Sequence, residues 1–124
     1  MDEQDNLSTE QAIDLARSNP DAFIKKFAEH NGDSMRGFIS EFSYRADSYD
    51  SLVKCRPLMV YSEGGTEGAG EHTEKIFAIL SPVGEALSYV KYEGFYSSYE
   101  STEWAESGRR VEPREVTVTQ YFEI

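Results

Sequence analysis

The sequence predicts an α+β domain, with N-terminal helices packed on a C-terminal antiparallel β-meander of about four strands. Three observations predict it. Helical spacing of apolar residues is confined to the first 46 positions. From position 58 onward, short apolar or alternating runs are separated by turn residues. The two kinds of segment do not alternate, which disfavours βαβ units and a parallel sheet.

Residues 1–7 carry no periodic pattern and are expected to fray. Ser8, with Gln11 three positions on, forms a capping-box signature that opens a short helix through Ala12, Ile13, Leu15 and Ala16. Asn19-Pro20 stops that helix near Ser18 and starts the next, because proline at the first helical position gives up an N–H that would be unpaired there anyway. The second helix carries Phe23, Ile24 and Phe27 on one face and ends at Asn31-Gly32. Over 33–46, Met35, Phe38, Ile39 and Phe42 fall at helical spacing, while Phe38, Phe42 and Tyr44 also fit a period of two. Asp33 can cap, so a helix is expected, with Gly37 as its weak point. Residues 47–56 read as a connection.

Leu58 to Tyr61 read as a short strand and 63–71 as a glycine-rich loop. Lys75 to Leu80 are apolar on both faces, as in a central strand covered on both sides. Ser81-Pro82-Val83-Gly84 is turn chemistry, and Leu87 to Tyr99 form a long strand expected to bend or bulge at Gly94. Residues 100–113 read as a loop. Glu115 to Ile124 alternate, with Val116, Val118, Phe122 and Ile124 on one face, and read as a last strand. No internal repeat or domain boundary is visible, so 1–124 is read as one domain.

The chain has 23 acidic against 12 basic residues and a formal charge of −11. The first fifty residues hold five basic against eleven acidic side chains, and the remaining 74 hold seven against twelve, so the charge is not a tail. Such a field repels nucleic acid and anionic lipid and attracts basic proteins. An aromatic content of 13% is too high for a disordered acidic segment. One cysteine, Cys55, excludes an internal disulfide and a cysteine-based zinc site. There is no apolar run of membrane-spanning length and no signal-peptide pattern, so a soluble, cytoplasmic protein is expected.

No catalytic constellation emerges. Gly64 to Gly70 resemble a phosphate loop only in glycine content. Glu63, Glu67, Glu71 and Glu74 surround them without a cation, so phosphate would be repelled. His72-Thr73-Glu74 lacks the cysteine pair that zinc deaminase chemistry requires. Cys55 lies between Lys54 and Arg56, yet no histidine partner is evident, and a small buried filler is the commoner fate. No cofactor and no metal site is expected.

The segment Tyr89 to Trp104 is the richest. Tyr89, Tyr92, Phe95, Tyr96, Tyr99 and Trp104 interleave with Glu93, Glu100 and Glu103, with Glu106 just beyond. Alternation requires Phe95 and one of Tyr96 and Tyr99 in the core, while the others suit a binding surface. A stacking platform for nucleic acid would need cations among the rings, and no basic residue lies between Tyr92 and Ser107.

Gly94-Phe95-Tyr96-Ser97-Ser98-Tyr99-Glu100, then Glu103-Trp104, Val111-Glu112-Pro113 and the Thr-Val-Thr run, resemble small acidic proteins of phages and prophages over about the last 60 residues. Ser101 stands where that pattern expects a turn glycine. The resemblance implies a protein that blocks a host protein, in some cases by imitating the charge of DNA. The expected function is therefore an acidic interaction module acting on a basic, nucleic-acid-binding or nuclease host protein. Glu63, Glu67, Glu71, Glu93, Glu100, Glu103 and Glu106 would supply charge, and Tyr96, Tyr99 and Trp104 the anchors. Two other readings stand beside it. One is a small-molecule pocket between helices and sheet. The other is a homodimer joined through strand 75–80 or strand 115–124.

Overall fold

A computed structural model describes residues 7–64, 72–96 and 102–124. Three helices, α1 (Thr9–Ser18), α2 (Pro20–His30) and α3 (Met35–Arg45), precede a sheet of β1 (Arg56–Glu63), β2 (His72–Leu80), β3 (Ala86–Phe95), β4 (Glu103–Trp104) and β5 (Arg109–Val111). The sheet is antiparallel in the order β1-β2-β3, with β4 and β5 both pairing the far edge of β3. The α+β class and the segregation of its elements follow the sequence.

The helices begin where side chains can satisfy their orphan N–H groups. Ser8 Oγ accepts from the Gln11 N–H at 3.1 Å while the Gln11 amide oxygen accepts from the Ser8 N–H at 2.8 Å, completing the capping box. Asn19 Oδ1 accepts from the Ala22 N–H and stands just before Pro20. Ser34, rather than Asp33, caps α3 by accepting from the Gly37 N–H at 3.0 Å. Asp33 instead accepts from the Tyr49 hydroxyl at 2.7 Å, which holds the connection after α3 against the core.

All three helices pack on one face of the sheet. Phe27, Phe38, Phe42 and Phe77 form a chain of edge-on and tilted rings, with Phe38 and Phe42 each centred 5.4 Å from Phe77. These rings form the centre of the core between the two layers. Polar bonds add register. Ser88 Oγ donates to the Ala16 carbonyl of α1 at 2.6 Å. The Tyr92 hydroxyl donates to Asp21 Oδ1 of α2 at 2.7 Å, and the Gly108 N–H donates to the same oxygen at 3.0 Å. Burial, with the Asp21 hydrogen bond second, raises the Tyr92 pKa far above the ordinary phenol value.

Four expectations are corrected. Residues 115–124 are not a strand of this sheet. They have no regular secondary structure and are exposed throughout, because the edge of β3 that a last strand would take is already filled by β4 and β5. For the same reason the stretch 100–113 contains two short strands and is not all loop. Gly94 does not bulge β3. Its register with β2 is continuous there, and the irregularities fall between Met59 and Tyr61 and between Ile79 and Leu80. Glycine is required at 94 because a Cβ would lie 2.7 Å from the Trp104 ring, and at 108 because one would lie 2.6 Å from Val90. Lastly, β2 has helices over only one of its faces. Thr73, Phe77 and Ile79 are buried beneath them, while on the opposite face Ile76 and Leu80 are partly open.

The turn Leu52–Cys55 is closed by reciprocal backbone bonds of 2.9 and 3.0 Å. Its central residues, Val53 and Lys54, hold φ of 50° and 68°. This primed turn geometry favours Asn-Gly, and a side chain with a Cβ is strained there. Lys54→Gly is expected to raise stability by about 0.5–1 kcal/mol, whereas Lys54→Ala, which keeps the Cβ, gains nothing. Urea unfolding measures both. Removing the Asp21 carboxylate strands two partly buried donors, so Asp21→Ala should cost about 3 kcal/mol in the same assay. Asp21→Asn, which keeps an acceptor, should cost less than half of that.

Candidate partner-binding surface

Because side chains alternate across a strand, the pairing register assigns each residue to the helix-covered or the open face of the sheet. Ser88, Val90, Tyr92 and Gly94 of β3 point to the helices and are buried. Leu87, Tyr89, Lys91, Glu93 and Phe95 therefore share the open face. Glu63 pairs with Glu74, and Glu74 with Glu93, so three carboxylates form one row across β1, β2 and β3. The next row pairs His72 with Phe95 and Phe95 with Glu103.

Two cations answer these four carboxylates. Lys91 Nζ lies 3.2 Å from Glu93 and 3.7 Å from Glu74. The hydrogen bond from Lys91, its charge, and the charge of Arg109 hold the Glu93 carboxyl below its ordinary range. The Tyr61 hydroxyl donates to Glu63, and that bond raises the Tyr61 pKa. A shallow depression of about 480 Å³ opens around His72, Glu93, Phe95 and Glu103. Phe95 is 59% exposed at its centre.

Of the residues expected to meet a partner, Glu63, Glu93 and Glu103 are brought together on this face. Glu106 is exposed in the turn between β4 and β5, and Tyr96 is half-buried just past β3. Trp104 is on the opposite face, where its indole N–H donates to Ser40 Oγ at 2.9 Å. Glu67, Glu71, Tyr99 and Glu100 lie outside the described residues. Phe95 corrects the sequence reading. It was expected in the core, but Tyr92 takes the core parity on β3, and Gly94 shares it because the Trp104 ring occupies that place. Glu74, His72 and Lys91 were missed as neighbours because their convergence depends on register, which linear spacing does not contain.

Lys75 is the buried cation of the domain face. It is 9% exposed, its Nζ donates to the Ile39 carbonyl at 2.7 Å, and it lies 5.6 Å from the centre of the Trp104 ring. Burial lowers its pKa. It lines a polar cleft of about 260 Å³ with Ser43, Ser62 and Thr73. A second open cleft, of about 430 Å³, lies beside Lys54, Arg56 and Ser81. Cys55 is fully buried and its thiol pKa is raised by that burial, which leaves it a packing residue rather than a nucleophile. Among the described residues, no three His, Cys, Asp or Glu side chains converge to hold a metal ion, and no helix is long and apolar enough to cross a membrane.

No family model, curated protein or solved structure matches this chain.

Lys75→Met keeps the packed stem and removes the charge, so it should raise stability at neutral pH by about 1 kcal/mol. A lysine pKa depressed by folding means that the unfolded chain binds more protons in the window between the folded value and 10.5. The wild type should therefore gain stability as pH rises through that window, and its deficit against Lys75→Met should narrow. Urea midpoints from neutral pH upward check the sign.

Proposed function

We propose that the protein is a non-enzymatic interaction module that docks a basic protein on the open face of its sheet. The observation that carries the reading is the carboxylate row Glu63–Glu74–Glu93 lying beside Glu103 and an exposed Phe95. Carboxylates in a −11 field steer a cationic partner into encounter, and a half-exposed aromatic in a depression is the kind of residue that retains it. Four carboxylates against Lys91 and Arg109 leave the patch with net negative charge even after internal pairing.

The partner class this fits best is a protein whose lysines and arginines otherwise contact phosphates. Such proteins hold nucleic acid largely through salt-dependent charge contacts, for which a carboxylate patch can compete. The phage-type inhibitor is the form of this reading that the C-terminal resemblance supports. Its cofactor requirement would be nil, and it would not bind nucleic acid itself.

The immobilised protein should retain a basic nucleic-acid-binding protein from a cell lysate, release it in a rising salt gradient, and lose it to added DNA. Glu93→Lys with Glu103→Lys should weaken retention by roughly tenfold or more. Retention that ignores salt, DNA and charge reversal would overturn the proposal.

A further inference from the structure

Residues 112–124 form an exposed arm whose chemistry is that of an unpaired strand. Val116, Val118, Phe122 and Ile124 share one parity, with Thr117, Thr119 and Tyr121 on the other. These are strand-favouring types, and five of them are large apolar side chains left in water: Val116, Val118, Tyr121, Phe122 and Ile124 are all at least 70% exposed. Among the described residues, the polar contact of the arm is local, between Arg114 and Glu112 at 2.9 Å. A row of apolar residues on one parity has no purpose in a solvated tail, where both sides see water.

The sheet has a matching vacancy. β1 is its outermost strand, and no strand among the described residues pairs with its outer edge. An open edge presents unpaired N–H and C=O groups to any extended chain. Leu58, Val60 and Tyr61 along β1 are also exposed. The edge is close to neutral in an otherwise acidic chain, with Arg56 at one end and Glu63 at the other. A second acidic copy therefore meets little repulsion there.

We infer that the arm 115–124 of one copy adds as a strand to the outer edge of β1 in a second copy, reciprocally, to form a two-fold dimer. Length supports exchange. Thirteen extended residues reach roughly 43 Å, whereas the step from β5 to β1 across one sheet is roughly 14 Å. A step of that length takes about four residues, so about nine remain for the eight-residue β1. Area supports it too. Phe122 alone offers roughly 150–250 Å², and with Val116, Val118 and Ile124 on the same parity, counted for two arms together with the β1 side chains they meet, the buried surface approaches the range of stable dimers, roughly 1,200–2,000 Å² in total. Reciprocity uses both arms and both β1 edges, so neither of these is left to propagate a filament. Glu63 stands at one end of β1, but Glu74, Glu93, Phe95 and Glu103 lie on the sheet face away from that edge, so this dimer does not require the partner surface proposed above.

The test is the mass of the 124-residue chain by size-exclusion chromatography with light scattering, over a wide range of concentration. The wild type should run at twice 14.1 kDa. Phe122→Asp on the arm and Val60→Lys on the edge should each weaken dimerisation by roughly tenfold or more while leaving the far-ultraviolet circular dichroism unchanged. Mixing Val60→Cys protein with Val118→Cys protein should give a covalent dimer under oxidation. A wild type of single-chain mass at every concentration would overturn the inference. A dimer that survives both Phe122→Asp and Val60→Lys would overturn it equally, in favour of sheets packed face to face.

Discussion

One carboxylate joins three parts of the chain that are far apart in sequence. Asp21 sits in the first turn of α2 and accepts from the Tyr92 hydroxyl of β3 and from the Gly108 N–H before β5, partners 71 and 87 residues away. Lys25 completes its shell at 3.2 Å. A partly buried carboxylate is costly unless its lone pairs are used, and here they are, so the node fixes both the height of α2 on the sheet and the return of the chain to the β3 edge. The same design recurs at the other helices. Ser88 is fastened to α1, and Lys75 and Trp104 to α3. Each fastening belongs to the sheet face that looks inward, and among the described residues no helix covers the opposite face.

That asymmetry produces the surface on which a partner could act. Register brings Glu63, Glu74 and Glu93 into one row although they are scattered over 31 positions of sequence. Internal cations temper the row without cancelling it. Lys91 bridges two of its members, and Arg109 reaches it from β5. The row is thus held in place by the protein before any partner arrives, which lowers the ordering cost that flexible acidic tails incur on binding.

The helices were legible because their signals are local. A cap, a proline and a periodic face lie within a few residues of one another, and Ser8, Gln11, Asn19 and Pro20 stand where those rules place them. The strands were legible as segments but not as surfaces. Periodicity identified β1, β2 and β3, but which parity of β3 faces inward depends on where the helices dock, so Phe95 was placed in the core and Tyr92 received no special role. The arm was misplaced for a related reason. Val116 to Ile124 have the composition and alternation of a strand, and sequence pattern reports the capacity to pair, not the presence of a neighbour within the same chain. The short strands β4 and β5, two and three residues long, fall below the length at which any period can be recognised.

The fastenings also set the order in which the chain can become a folded object on the ribosome. The helices are made first, but the rings of α2 and α3 find their cover only when Phe77 and Tyr92 have emerged, and Asp21 waits for Gly108. Phe23, Phe27, Phe38 and Phe42 are therefore without their final partners until β2 and β3 have emerged, the stage at which exposed apolar surface invites misassembly. The same long separations make the search for the native state one of loop closure rather than local zippering. For this chain a fixed structure has to wait until residue 108 has emerged, and a net charge of −11 works against aggregation among copies that have not yet reached that point.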